Sequence, residues 1–219
     1  MSWSNDFAIS ILPLLLKGFV ITVKATAGGT ILALALGLVL ALCAYAPQRV
    51  VRAVAHGVTE LLRRTPLLVH LYILFFALPE LGILLSPLTA GILALGLHTG
   101  SYMSAVYQSG INAVPAGQWE AARALGYARS DLWVRIVLPQ AVPMMIPALG
   151  NYILLMFKES AILSVIAVPE AMQTALAIGN RSYRYLEAVT VVGLLYLAIS
   201  LPVAAALRAM ERRFVTPQQ

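Results

Sequence analysis

Four long stretches of this chain contain no Asp, Glu, Lys or Arg: residues 25–48, 81–119, 136–157 and 188–207. At about 1.5 Å rise per residue, a helix of about 20 residues crosses a hydrocarbon core about 30 Å thick. Each gap is therefore long enough to hold a span. The charge that remains is 11% of 219 residues, while 60% are hydrophobic; a soluble domain carries about 25% charged residues. A disordered tail and an ordinary soluble enzyme are both excluded. The chain reads as an all-α polytopic membrane protein forming one domain over residues 1–219.

The formal charge is +6, but the basic residues stand singly or in pairs between apolar runs. They form no long stripe interleaved with aromatics, so they point to loop charges that set membrane orientation and not to nucleic acid. The single Cys43 allows no intrachain disulfide and gives no metal spacing. His56, His70 and His98 lie more than ten residues apart, and no metal-binding His motif is present. No GxxxxGK[ST] sequence occurs, so ATP has no such site here and no metal or cofactor is expected in this subunit. The N-terminal MSWSNDFAISILPLLLKG lacks a basic leader and a clean small-residue cleavage site, and reads as mature sequence.

The spacing predicts five transmembrane helices, near 18–43, 61–79, 87–110, 141–167 and 187–207. The second is short in uncharged residues, so Arg63 and Arg64 must reach back to the headgroups. In the third, Gly91, Gly96 and Gly100 with Ser101 and Ser104 form a small-residue surface suited to close helix contact. Ten Lys or Arg residues fall in the loop after the first helix, the loop after the third and the C-terminal end, against two, Arg181 and Arg184, on the opposite side. That bias predicts an N-terminus outside and a C-terminus in the cytoplasm.

Polar residues inside apolar segments mark the candidate pathway. His98-Thr99-Gly100-Ser101-Tyr102 wants either a wet cavity or hydrogen bonds to a neighbouring helix. In the fourth segment Pro139, Pro143 and Pro147 share a face and make that end easy to bend. Further along, Glu159 is placed either in a translocation cavity with Tyr152 and Met156, facing a substrate amino group, or as a structural partner for a basic residue of a neighbouring subunit.

The loop 112–139 is the sharpest local signal. Pro115 suits a first helical position, GQWEAARAL reads as a short helix, and Gly126 is placed to stop it with φ > 0. Ser130 suits the cap of a second short helix over 131–137. Trp119, Leu125, Tyr127, Leu132 and Trp133 give the loop more apolar surface than solvent contact needs, so it either docks a cytoplasmic partner or folds on its own bundle.

Glu120-Ala121-Ala122, three residues, Gly126, nine residues, Ile136, one residue and Leu138-Pro139 resemble the EAA signature of permease subunits of bacterial ABC importers. ELLRRTPLLVHLYILFFALP, GQWEAARALG and LPQAVPMMIPALGNYILLMFKESAILSVIAVPE resemble the polar amino-acid uptake group, the histidine/glutamine/arginine type, and the likeness runs from about Leu14 to Arg213. It implies a type I ABC importer permease fold in the bacterial inner membrane. It also implies a second permease subunit, identical or paralogous, two cytoplasmic subunits that bind ATP and Mg, and a periplasmic or lipid-anchored substrate-binding protein. Glu120, Ala121, Ala122 and Gly126 would form the helix that couples to the ATPase, while His98, Thr99, Tyr102, Tyr152, Met156 and Glu159 would line the substrate pathway.

The sequence also departs from that group. Where its members commonly have Ala, Glu, Ile and then Arg-Gly after the tyrosine, this chain has Ser104, Ala105, Val106, Gln108 and Ser109, and Arg64 replaces the Gly before Thr65-Pro66. These departures leave the substrate open between a polar amino acid and a compatible solute, opine or other non-protein amino acid. A self-contained secondary transporter would show internal repeats or broken helices within one chain, and no repeat is visible. A non-transporting structural subunit would not need the EAA loop.

Overall fold

The computed structural model describes residues 3–214. They form nine α-helices: α1 (Asn5–Ala44), α2 (Arg49–Arg64), α3 (Leu67–Tyr72), α4 (Pro87–Asn112), α5 (Ala116–Ala124), α6 (Arg129–Asp131), α7 (Leu138–Glu159), α8 (Ala171–Ser182) and α9 (Tyr185–Phe214). The first two residues and the last five of the expected 1–219 domain lie outside the described residues.

The expected five spans are not what the structure contains. Three helices are long and apolar enough to cross a membrane, Asn5–Ala44, Arg129–Ile166 and Tyr185–Arg212. A fourth exists if Arg49–Arg64 and Leu67–Leu81, bent by 100°, form one broken span. Two physical reasons account for the difference. The segment expected over 61–79 is divided at Thr65-Pro66, where Pro66 takes φ −58 and ψ 143 and opens the new helix, as its fixed ring geometry favours. The α4 helix has the length, 26 residues, but His98-Thr99, Ser101, Gln108 and Ser109 dilute its apolarity. With three or four spans, the five-span count behind the expected placement of the termini is lost, and the fold itself assigns neither terminus to a side.

Small residues explain how the bundle closes. Ala25, Gly29, Ala33, Gly37 and Ala41 are all buried on α1, and their spacing of four puts them on one stripe. This stripe meets α4. A Cβ on Gly37 would lie 2.9 Å from the Gly100 carbonyl oxygen and 2.9 Å from Met103 Cβ, and one on Gly100 would lie 3.2 Å from the Ala33 carbonyl oxygen. Backbone-to-backbone approach of this kind needs small side chains. Around it pack Leu71, Leu95, Met103, Met156, Leu163 and Val168, all fully buried.

Two helices widen into π-helical turns, at Ile73–Ala77 and at Leu132–Val137. Each precedes a proline by two residues, Pro79 and Pro139. A proline offers no N–H to the carbonyl four residues back and its ring crowds that carbonyl, here those of Phe75 and Arg135, and a wider turn relieves both. Through the second of these turns α6 runs on into α7. The start of this helix is not capped by Ser130: it begins at Arg129, with Ala128 as the residue before it and no side-chain cap.

Candidate permease sites

The loop 112–139 builds a helix with two different faces. Pro115, at φ −55, opens α5. Gly126 ends it at φ 72, while its N–H donates to the Arg123 carbonyl at 3.0 Å and the Tyr127 N–H donates to Ala122 at 3.1 Å. A Cβ at Gly126 would meet nothing within 4 Å, so the left-handed turn and not crowding makes glycine the suitable residue. Ala122 is buried among Ile111, Val114, Leu132, Val137 and Met145. Trp119 and Trp133 meet edge to face with centroids 5.3 Å apart. These contacts pin the inner face of α5 to the π-helical turn that leads into α7. Glu120, Ala121 and Gly126 stay exposed on the outer side.

Of the six expected pathway residues, the structure joins three. Tyr102 of α4 and Tyr152 of α7 stack with centroids 5.7 Å apart and planes inclined at 26°. His98 lies 5.2 Å from the Tyr102 ring. Glu159 is seven residues beyond Tyr152, two turns along the same helical face. It is partly exposed and forms no hydrogen bond or ion pair among the described residues. Thr99 and Met156 do not join this surface: Thr99 is buried, and Met156 is fully buried against α1, where the Thr30 hydroxyl approaches its sulfur at 3.8 Å.

Sequence reasoning assigned Arg63 to the headgroups and read His70 as outside any metal motif, whereas the structure brings both to the same column. The Arg63 guanidinium lies 5.5 Å from the Tyr102 ring centroid, a cation–π distance. Its Nη2 donates to the Ser101 carbonyl at 3.1 Å, and the Tyr102 hydroxyl donates to the Arg63 carbonyl at 3.1 Å. His70 and His98 lie 5.5 Å apart. Arg63 Nε, His70 Nδ1 and His98 Nδ1 are buried with no hydrogen-bond partner among the described residues. Arg63 also lines a cavity of about 690 Å³ between α1, α2 and α4, with His56, Glu60 and Gln108. Three unmet polar atoms in one column are costly unless water or a ligand meets them.

A second residue went unassigned. Glu170 is fully buried and caps α8, its carboxylate accepting from the Met172 and Gln173 N–H groups at 2.8 and 2.6 Å. The Thr22 and Tyr196 hydroxyls reach the same carboxylate at 3.3 Å each, so one side chain joins α1, α8 and α9. Burial pushes its carboxyl above the ordinary range, and the four donors oppose that push. The sequence offered little signal, because Glu is not among the favoured N-cap residues. Among the described residues no three His, Cys, Asp or Glu side chains group so as to hold a metal ion.

Long apolar helices, a docked loop helix and an interior polar column are the architecture of a membrane permease subunit. Residues 33–216 match the family model described as "Binding-protein-dependent transport system inner membrane component", and the chain belongs to this family. It is 39% identical over 205 residues to the probable amino-acid ABC transporter permease protein y4tG of Sinorhizobium fredii, covering 94% of this chain and 89% of that one. It is 36% identical to the arginine transport system permease protein ArtQ of Bacillus subtilis, covering 95% and 96%. A crystal structure of an amino acid ABC transporter with histidines superposes at a TM-score of 0.91 with 33% identity, over 97% of this chain and 100% of that one. The chain is thus a multi-pass inner-membrane component of a multi-subunit ABC importer that works by alternating access.

Proposed function

We infer that this permease moves a polar amino acid inward, and that the Tyr102–Tyr152 column is where the substrate is met. The observation that carries the reading is the pairing of unlike groups about one aromatic stack. Arg63 and His98 offer buried donors or acceptors at Tyr102, and Glu159 offers an unpaired carboxylate two turns beyond Tyr152. A zwitterion presents an ammonium and a carboxylate. Glu159 would meet the first and the Arg63 end the second. The relatives named for amino-acid and arginine transport support the same substrate class.

In this reading Glu120, Ala121, Ala122 and Gly126 form the coupling surface. The exposed edge of α5 seats on an ATPase subunit, and the buried edge carries its displacement into α7 through Ala122 and the tryptophan pair. The permease pairs with a second copy or a paralogue, two ATP- and Mg-binding subunits sit below, and an extracytoplasmic binding protein delivers substrate. His98, Tyr102, Tyr152 and Glu159 line the path, while Met156 and Thr99 support it from behind.

The test is ATPase activity of the whole assembly in lipid nanodiscs, with the cognate binding protein and a panel of amino acids and compatible solutes. Stimulation by one polar amino acid is expected, and Glu159→Gln should abolish that stimulation in an assembly that still forms. Stimulation by a betaine, ectoine or opine alone would replace the substrate class. Unchanged kinetics in Glu159→Gln would remove that residue from the path.

A further inference from the structure

Behind the loop helix lies a cavity of about 590 Å³ that the transport reading does not use, lined by Tyr45, Trp119, Arg123, Tyr127, Arg129 and Trp133 among others. None of its lining residues is acidic. Among the described residues neither arginine forms an ion pair: Asp131 is taken by Arg135 at 3.1 Å, and Glu120 pairs with neither arginine. Two arginines facing one hollow repel each other unless an anion lies between them.

The position of the cavity says which anion. Tyr45 follows directly on the span Asn5–Ala44, and Arg129 is the first residue of the span Arg129–Ile166. The hollow therefore lies at the end that these two spans share. Where spans leave a bilayer, Tyr and Trp side chains concentrate and basic pockets attract anionic headgroups. Ala116, Trp119 and Arg123, at i, i+3 and i+7, turn one face of α5 toward it.

We propose that Arg123 and Arg129, with Tyr127 lining the same hollow, bind a phosphate group, that of an anionic phospholipid wedged behind the loop helix. The guanidinium fork suits phosphate oxygens, the aromatic rim suits the glycerol region, and a bound headgroup would brace α5 against α1.

Native mass spectrometry of the assembled permease–ATPase complex, given equal phosphatidylglycerol and phosphatidylethanolamine, tests this. Phosphatidylglycerol should be retained at least about tenfold over phosphatidylethanolamine, and Arg123→Gln/Arg129→Gln should cut that retention about fivefold per arginine. The Arg123→Lys/Arg129→Lys pair should retain most of it. If inorganic phosphate displaces the lipid and protects the same two arginines from a guanidine-directed reagent, the phosphate site stands and its source is the free ion. Equal retention of both lipids by the unaltered complex, with no protection by inorganic phosphate, overturns the proposal. Loss of the ATPase subunit from the double Gln variant, in a complex showing no lipid preference, would assign the arginines to a protein contact instead. Should the double variant not assemble, Arg129→Gln alone and the lipid ratio of the unaltered complex decide.

Discussion

Tyr102 and Tyr152 come from helices with no common sequence signal, yet their rings stack 5.7 Å apart, with a guanidinium 5.5 Å from the centre of the first ring and a carboxylate two turns beyond the second. The stack joins α4, which carries the small-residue contact to α1, to α7, which carries the loop helix.

Removing either ring should therefore lower transport more than stability. Tyr152→Ala is expected to reduce substrate-stimulated ATPase kcat/KM about tenfold, while Tyr152→Phe, which keeps the stack, should stay within about threefold. A double-mutant cycle with Tyr102→Ala should return a coupling of about 0.5–1.5 kcal/mol, the usual value for such a pair. Additive losses would show that the rings act separately.

Gly126 holds φ 72. Gly126→Ala places a Cβ in that left-handed turn at a cost of about 1–2 kcal/mol, with nothing nearby to clash. The expected outcome is weaker ATPase coupling with unchanged substrate preference, read from the ratio of transport to ATP hydrolysis. A shifted preference with normal coupling would refute the assignment.

Glu170 makes a structural prediction with a pH signature. Glu170→Ala leaves two α8 N–H groups unpaired and should cost about 2–4 kcal/mol, combining a lost cap with buried donors. Glu170→Gln keeps an acceptor and should cost less. Because burial holds the folded carboxyl above its unfolded value, the folded state binds the proton more tightly. Its contribution to stability is fully present below the unfolded value and is lost as pH rises through the folded one. Thermal unfolding in detergent should show this slope in the parent and lack it in Glu170→Gln.

Two glycines test the bundle contact. Gly37→Ala drives a Cβ to 2.9 Å from the Gly100 carbonyl oxygen, so helix backbones must part, and a loss of about 1–3 kcal/mol is expected. Gly57→Ala, in α2 with nothing within 4 Å, should instead gain about 0.5–1 kcal/mol from helix propensity. Thermal midpoints moving in opposite directions would confirm both; equal shifts would not.

Much of this was legible in the residues. The loop helix, its glycine stop and the small-residue face of α4 follow from local rules that need only neighbours in sequence. The polar run at His98–Tyr102 and the faces of Tyr152 and Glu159 are visible because polar groups in an apolar helix stand out. What misled was counting: an uncharged gap measures length, while crossing also needs apolarity, and α4 spends its length on His, Thr, Ser and Gln.

Charge gaps and a loop pattern determined that the chain is a helical membrane permease and where its short loop helix lies, because hydrophobicity and turn chemistry are properties of short segments. Tertiary structure alone decided that Arg63 and His70 belong to the same column as Tyr102, that Met156 faces away, and that Glu170 ties three helices together. Those facts depend on which helix faces lie against each other, and packing between segments far apart in sequence sets that.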